Sequence, residues 1–197
     1  NAIKSCDATP VFCDVDKRTL NTDSGYIEEK ITSKTKAVMI LHYGGTPCNM
    51  DGIVSLCKLH NLKLIEDNAN SPLSTYKEKH TGTIGDIGVW SFDAMKQIVM
   101  GDGGLIYCKQ QSHIKDIQQE SYLGLMSSSG FSNTIDTKWW EFDVDRPARR
   151  TIINDIQAAM GLEQLKKIDN FIKIRKDIHE TYSKELSDLE WLDVPVE

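Results

Sequence analysis

The stretch that most constrains this chain is residues 36–67, where two strand-like runs flank a helical one. Lys36 to Tyr43 (KAVMILHY) is nearly unbroken apolar sequence, which predicts a strand buried on both faces. GGTPCNMDG follows as a turn that opens a helix. Within that helix Ile53, Leu56, Cys57 and Leu59 recur at three- and four-residue spacing and place one stripe on a core, with Asn61 ending it. Lys63 to Asp67 (KLIED) is the next strand. Strand, helix of about ten residues, strand is a βαβ unit, and such crossovers are parallel and right-handed. A sheet of this kind needs helices to cover it.

The flanks extend the pattern. Pro10 to Val15 (PVFCDV) predicts a strand, and the run from Tyr26 to Ile31 a helix that Asp23 or Ser24 caps. Gly85 to Ser91 and Gly104 to Cys108 predict two more short strands. The sum is an α/β sandwich with a mostly parallel sheet. After residue 112 the character changes. Residues 124–150, rich in Ser, Gly, Trp and charge, predict a long loop, which at that length in a compact domain is usually functional or disordered. Helix returns from Asn154: Ile156, Ala159, Met160 and Leu162 to Leu165 form one amphipathic segment, and Ile168 to Leu186 continues it with a charged outer face.

Composition excludes several classes of partner. The formal net charge of −6 argues against nucleic acid or an anionic membrane, both of which want a basic face. No run of eighteen apolar residues spans a bilayer. The cysteines Cys6, Cys13, Cys48, Cys57 and Cys108 are odd in number and form no C-x-x-C pair, so reduced thiols in a cytoplasmic protein are expected rather than disulfides or a zinc site.

In a parallel α/β sheet, ligands sit outside the carboxyl ends of the strands. Asp67 closes KLIED and stands on that rim, Ser91 ends the next predicted strand, and Lys96 lies five residues on, before the glycine-rich GDGG of residues 101–104. Singly, each has a plain explanation: Asp caps or turns, Lys is a solvated surface residue, and a glycine cluster is a turn. Together, a hydroxyl, a carboxylate and an amine on one rim are what pyridoxal phosphate needs: a phosphate donor, a partner for the ring nitrogen and a nucleophile.

The motifs HYGGTP (42–47), NMD (49–51), ED (66–67), GTIGDIG (82–88), SFDAMK (91–96) and GDGG (101–104), with the later INDIQAAMGLEQLKKID, occur in the order and spacing of one family. This chain resembles the DegT/StrS family of sugar-nucleotide aminotransferases over nearly its whole length. The resemblance implies the large domain of a fold-type I pyridoxal-phosphate transferase, a three-layer αβα sandwich. On that pattern residues 1–165 are the cofactor-binding domain, lacking an N-terminal part, and residues 166–197 are a linking helix and the start of a small C-terminal domain.

By position, the resemblance makes Lys96 the Schiff-base lysine, Asp67 the partner of the pyridine nitrogen and Ser91 a phosphate ligand. Asn70 stands where the family carries Gln or His against the ring's phenolic oxygen, one methylene shorter than Gln. Arg150, with Arg149 beside it, stands where an Asn or Lys reaches the phosphate of the neighbouring subunit's cofactor, which implies a homodimer. The activity implied is transfer of an amino group from glutamate or glutamine to the keto group of a nucleotide-linked deoxysugar. A sugar dehydratase of the same family carries His at the position of Lys96, and a non-catalytic binding protein would not need Asp67, Ser91 and Lys96 together.

Overall fold

A computed structural model describes residues 1–125 and 143–194. Four strands form the central sheet: β1 (Ala37–Leu41), β2 (Lys63–Asp67), β5 (Ile87–Ser91) and β6 (Gly104–Cys108). Their order is β1-β2-β5-β6. The first three are parallel and the β5–β6 pair is antiparallel, so the sheet is mixed and mostly parallel, as the sequence predicts. Between β2 and β5 lies a small antiparallel hairpin, β3 (Thr75–Tyr76) and β4 (Lys79–His80).

The helices are α1 (Ala2–Ser5), α2 (Ser24–Glu28), α3 (Met50–Leu59), α4 (Ile114–Ser121), α5 (Asp155–Leu165) and α6 (Ile168–Leu186). Caps explain where several begin. The Asp23 side chain accepts the Gly25 and Tyr26 N–H groups at the start of α2. Asn154 and Gln157 form a reciprocal capping box at the start of α5. The expected single helical run after Asn154 is two helices, because the chain breaks at Lys166 and Lys167 between α5 and α6.

The core lies between α3 and one face of the sheet. Val38, Ile40 and Leu64 meet Met50, Ile53, Leu56 and Cys57, with Ile27 of α2 and Leu62 at the edges. Three expectations are corrected here. β1 is not buried on both faces: its burial alternates, and Met39 and Leu41 remain 48% and 37% exposed. Leu59 lies outside the α3 stripe and is 76% exposed, since at about 100° per residue it turns away from the face shared by Ile53, Leu56 and Cys57. Pro10 to Val15 is irregular rather than a strand. Its apolar side chains Val11, Phe12 and Val15 are exposed, and no described strand offers it a ladder. Most of the predicted loop of residues 124–150 falls outside the described residues.

Candidate functional site

The parallel pairing of β2 with β5 sets Asp67 opposite Val89, so the carboxyl ends of the two strands open on one rim. Asp67 is the last residue of β2 and Ser91 the last of β5. Beyond Ser91 the chain closes a loop on itself: Phe92 N–H bonds to Gly103 O at 3.0 Å and Met100 N–H to Phe92 O at 2.9 Å. Ile98 and Met100 are buried at the base of that loop, which leaves Lys96 near its tip with its own N–H on Asp93 O at 3.0 Å.

Lys96 is half-buried and turned back toward the end of β2, where its Nζ donates to Asn70 Oδ1 at 3.2 Å. Gln97 supports the same residue, its Nε2 donating to Asn70 O at 3.2 Å. Asn70 lies in a short loop pinned by buried polar groups. Ser71 Oγ donates to Asn68 Oδ1 at 3.1 Å, and Thr81 Oγ1 to Ser74 O at 3.2 Å. Asp67 is half-buried; its Oδ1 accepts the Ala69 N–H at 2.9 Å, and no described residue donates to Oδ2. Ser91 Oγ accepts the Asp93 N–H at 3.4 Å.

Of the five residues singled out from sequence, Lys96 and Asn70 are thus in direct contact, Asp67 begins the segment that carries Asn70, and Ser91 begins the segment that carries Lys96. Arg150 lies elsewhere in its own chain. It bridges to Tyr122, with its guanidinium 6.0 Å from the Tyr122 ring centre, and no described hydrogen bond or ion pair links it to the other four.

One cluster behind the rim carries no role in the sequence reading. Glu66 and Asp67 are consecutive on a strand, so their side chains take opposite faces. Glu66 is fully buried on the core side. Its carboxylate accepts from Gly82 N at 2.7 Å, Ile84 N at 2.8 Å, Gly85 N at 2.5 Å and His42 Nε2 at 3.1 Å. Burial pushes the Glu66 carboxyl up, but the His42 bond and the Gly85 and Gly82 N–H groups outweigh it and leave it below the ordinary carboxylate range. His42, also fully buried, accepts the Cys48 N–H on Nδ1 at 3.1 Å, which assigns the ring proton to Nε2. The signal was present in the sequence: a carboxylate two residues after Leu64, on the same core-facing side of the strand, with glycines at 82 and 85 to approach it.

Comparison with known proteins places this geometry in context. The profile of the DegT/DnrJ/EryC1/StrS aminotransferase family matches residues 1–196. The chain is 42% identical over 196 residues to a dTDP-4-dehydro-2,3,6-trideoxy-D-glucose 4-aminotransferase of Saccharopolyspora spinosa, covering 99% of this chain and 51% of that protein. It is 38% identical over 189 residues to a GDP-perosamine synthase of Escherichia coli O157:H7, covering 96% and 49%. Among solved structures it is similar to the aminotransferase TlmJ from Streptoalloteichus hindustanus, with a TM-score of 0.88, 39% identity, and 96% and 49% of the two chains covered. The chain therefore spans about half the length of the relatives it matches.

Proposed function

The chain belongs to the DegT/DnrJ/EryC1/StrS aminotransferase family, and on that premise we propose that it works as a pyridoxal-phosphate-dependent sugar aminotransferase. The observation that carries the reading is the Lys96 Nζ to Asn70 Oδ1 contact at 3.2 Å, on the rim where Asp67 ends β2. The donor set fits the cofactor: an amine and an amide meet there, and Asp67 Oδ2 has lone pairs to spare for a ring N–H.

When bound, pyridoxal phosphate supplies an aldehyde that takes up an amine and a ring that accepts electrons from the neighbouring carbon. Lys96 would hold it through Nζ and, when released, carry a proton on that atom to and from the substrate carbon. Asp67 would keep a proton on the ring nitrogen. Ser91 Oγ would donate to the phosphate, and Asn70 Nδ2 would face the phenolic oxygen while Oδ1 orients Lys96. Arg150, at the chain's surface, would reach the phosphate in a neighbouring subunit of a homodimer, the commonest closed assembly.

The amino donor would be glutamate or glutamine, and the acceptor the keto group of a nucleotide-linked deoxysugar. Residues 1–165 would form the cofactor-binding domain, and residues 166–197 would lead into a second, smaller one. A biosynthetic reaction on nucleotide-linked sugars would suit the cytoplasm. Borohydride reduction of the cofactor-loaded complete protein, followed by peptide mass spectrometry, tests the assignment. The pyridoxyl label is expected on Lys96, and a label on Lys77 or Lys109 instead would overturn it.

A further inference from the structure

A carboxylate is an expensive group to bury, and a buried charged cluster is weak evidence for stability by itself. Glu66 nevertheless lies fully buried immediately before Asp67, and its four hydrogen bonds reach two separate segments. Through Gly82, Ile84 and Gly85 it holds the loop that enters β5, the strand ending in Ser91. Through His42 Nε2 it holds the residue that follows β1.

His42 is bound to the rim twice. Its ring is fixed between Glu66 and the Cys48 N–H, and its backbone N–H donates to Asp67 O at 3.3 Å. The peptide that carries the Asp67 carboxylate is therefore clamped by His42 on one side and by Glu66 next in sequence. The carboxylate itself has a single described donor, Ala69 N–H, so its aim depends on that peptide. The next residue, Asn68, is fully buried and hydrogen-bonded to Ser71, so the fixed segment extends on either side of Asn70, the partner of Lys96.

We infer that Glu66 and His42 are positioning residues for Asp67: the buried pair sets the direction of the Asp67 carboxylate and the placement of the Asn70 loop. This rests on the reading of Asp67 as the partner of the cofactor's ring nitrogen. The pair itself touches neither cofactor nor substrate.

The test uses the complete protein loaded with pyridoxal phosphate, with Glu66→Gln and His42→Gln as variants. Gln at 66 offers one acceptor oxygen where three N–H groups and an imidazole converge. Gln at 42 keeps a donor toward Glu66, but with its Nε2 in the place of the imidazole Nε2 its amide oxygen does not stand where Nδ1 accepts the Cys48 N–H. If the pair aims Asp67, each folded variant still binds the cofactor, but the pH midpoint of its visible absorption band moves. In both, kcat falls by up to about 100-fold with KM nearly kept. His42→Gln, with one of its two ring contacts retained, should show the smaller change and carries the test if Glu66→Gln does not fold.

Variants that melt earlier yet keep the parent's band midpoint and kcat would overturn the inference, because a purely structural pair does only that. A Lys96→Ala protein made alongside separates the two levels of the claim. If it keeps the parent's band, the cofactor reading fails rather than the positioning role.

Discussion

Gly88→Ala is the substitution for which the structure gives the clearest magnitude. Gly88 is buried in the middle of β5, paired with Glu66 on one side and Tyr107 on the other. A Cβ there would lie 1.9 Å from Gly82 O, 2.6 Å from Gly82 C and 2.7 Å from Gly82 Cα. All three are backbone atoms, so no side chain can swing aside. The oxygen has to retreat to about 3.0 Å, a shift of about 1.1 Å, before the contact is one that real Cβ atoms make. Gly82 is also the donor of the 2.7 Å bond to Glu66 Oε2, and a movement of that size takes it beyond hydrogen-bonding range.

Overpacking together with the loss of one charge-assisted buried bond puts the cost at about 3–6 kcal/mol. Gly101→Ala is the control. Gly101 has φ +82 but its Cβ would meet nothing nearer than Met160 Cε at 3.8 Å, so only the conformational cost of about 1–2 kcal/mol applies. Urea unfolding of both variants in the complete protein measures the difference. If Gly88→Ala costs no more than Gly101→Ala, the close approach of β5 to the Gly82 loop is not what the glycine is for.

Three other outcomes are expected. Because the folded-state Glu66 carboxyl titrates below the ordinary 4.5, its contribution to stability is fully present above pH 4.5 and is lost as pH falls through its lower, folded-state value; an acid titration followed by circular dichroism should show that loss below pH 4.5, and Glu66→Gln should flatten it. Burial pushes the Cys48 thiol up to about 12 and raises that of Cys57, so alkylation near pH 8 with a mass-spectrometric readout should label exposed Cys6 well before either. Asn154→Ala removes the side-chain half of the α5 capping box, the bond that Asn154 Oδ1 accepts from Gln157 N–H, and should cost about 1 kcal/mol in urea unfolding, with Asn154→Asp restoring most of it.

What the sequence made legible is what depends on local pattern. β2 and β6 fall on the predicted residues, and α3 begins within the predicted helix start. The Asp23 cap was also readable, since a capping oxygen acts within three residues. What escaped depends on distant partners. Val11, Phe12 and Val15 have strand-forming side chains but no described strand beside them, and residue type alone cannot report a missing ladder. The β3–β4 hairpin turns at Lys77 (φ 48) and Glu78 (φ 65) without the Asn-Gly or Gly-Gly that usually announces such a turn. It is instead strapped to α3 through Tyr76 Oη, which donates to Asn49 at 3.1 Å, and through Lys77, which is paired with Asp51. Those contacts join residues 26 or 27 apart in sequence.

The candidate site shows the same division between near and far. Asp67, Ser91 and Lys96 could be placed on a rim because a strand end is a local fact and the rim follows from the topology. Asn70 against Lys96, 26 residues apart, needed the fold. Glu66 lay one residue from Asp67 and still carried no role, because attention to the rim face of β2 passes over the face behind it. Strand alternation gives the two carboxylates opposite surroundings: Glu66 meets three backbone N–H groups and an imidazole in the core, while Asp67 keeps an oxygen without a described donor at the rim. A carboxylate with every donor it can use is suited to holding structure, and one with a spare oxygen is suited to holding a ligand. That difference in hydrogen-bond saturation, between neighbours of nearly identical chemistry, is what supports the proposal that Asp67 serves the cofactor and Glu66 the frame that aims it.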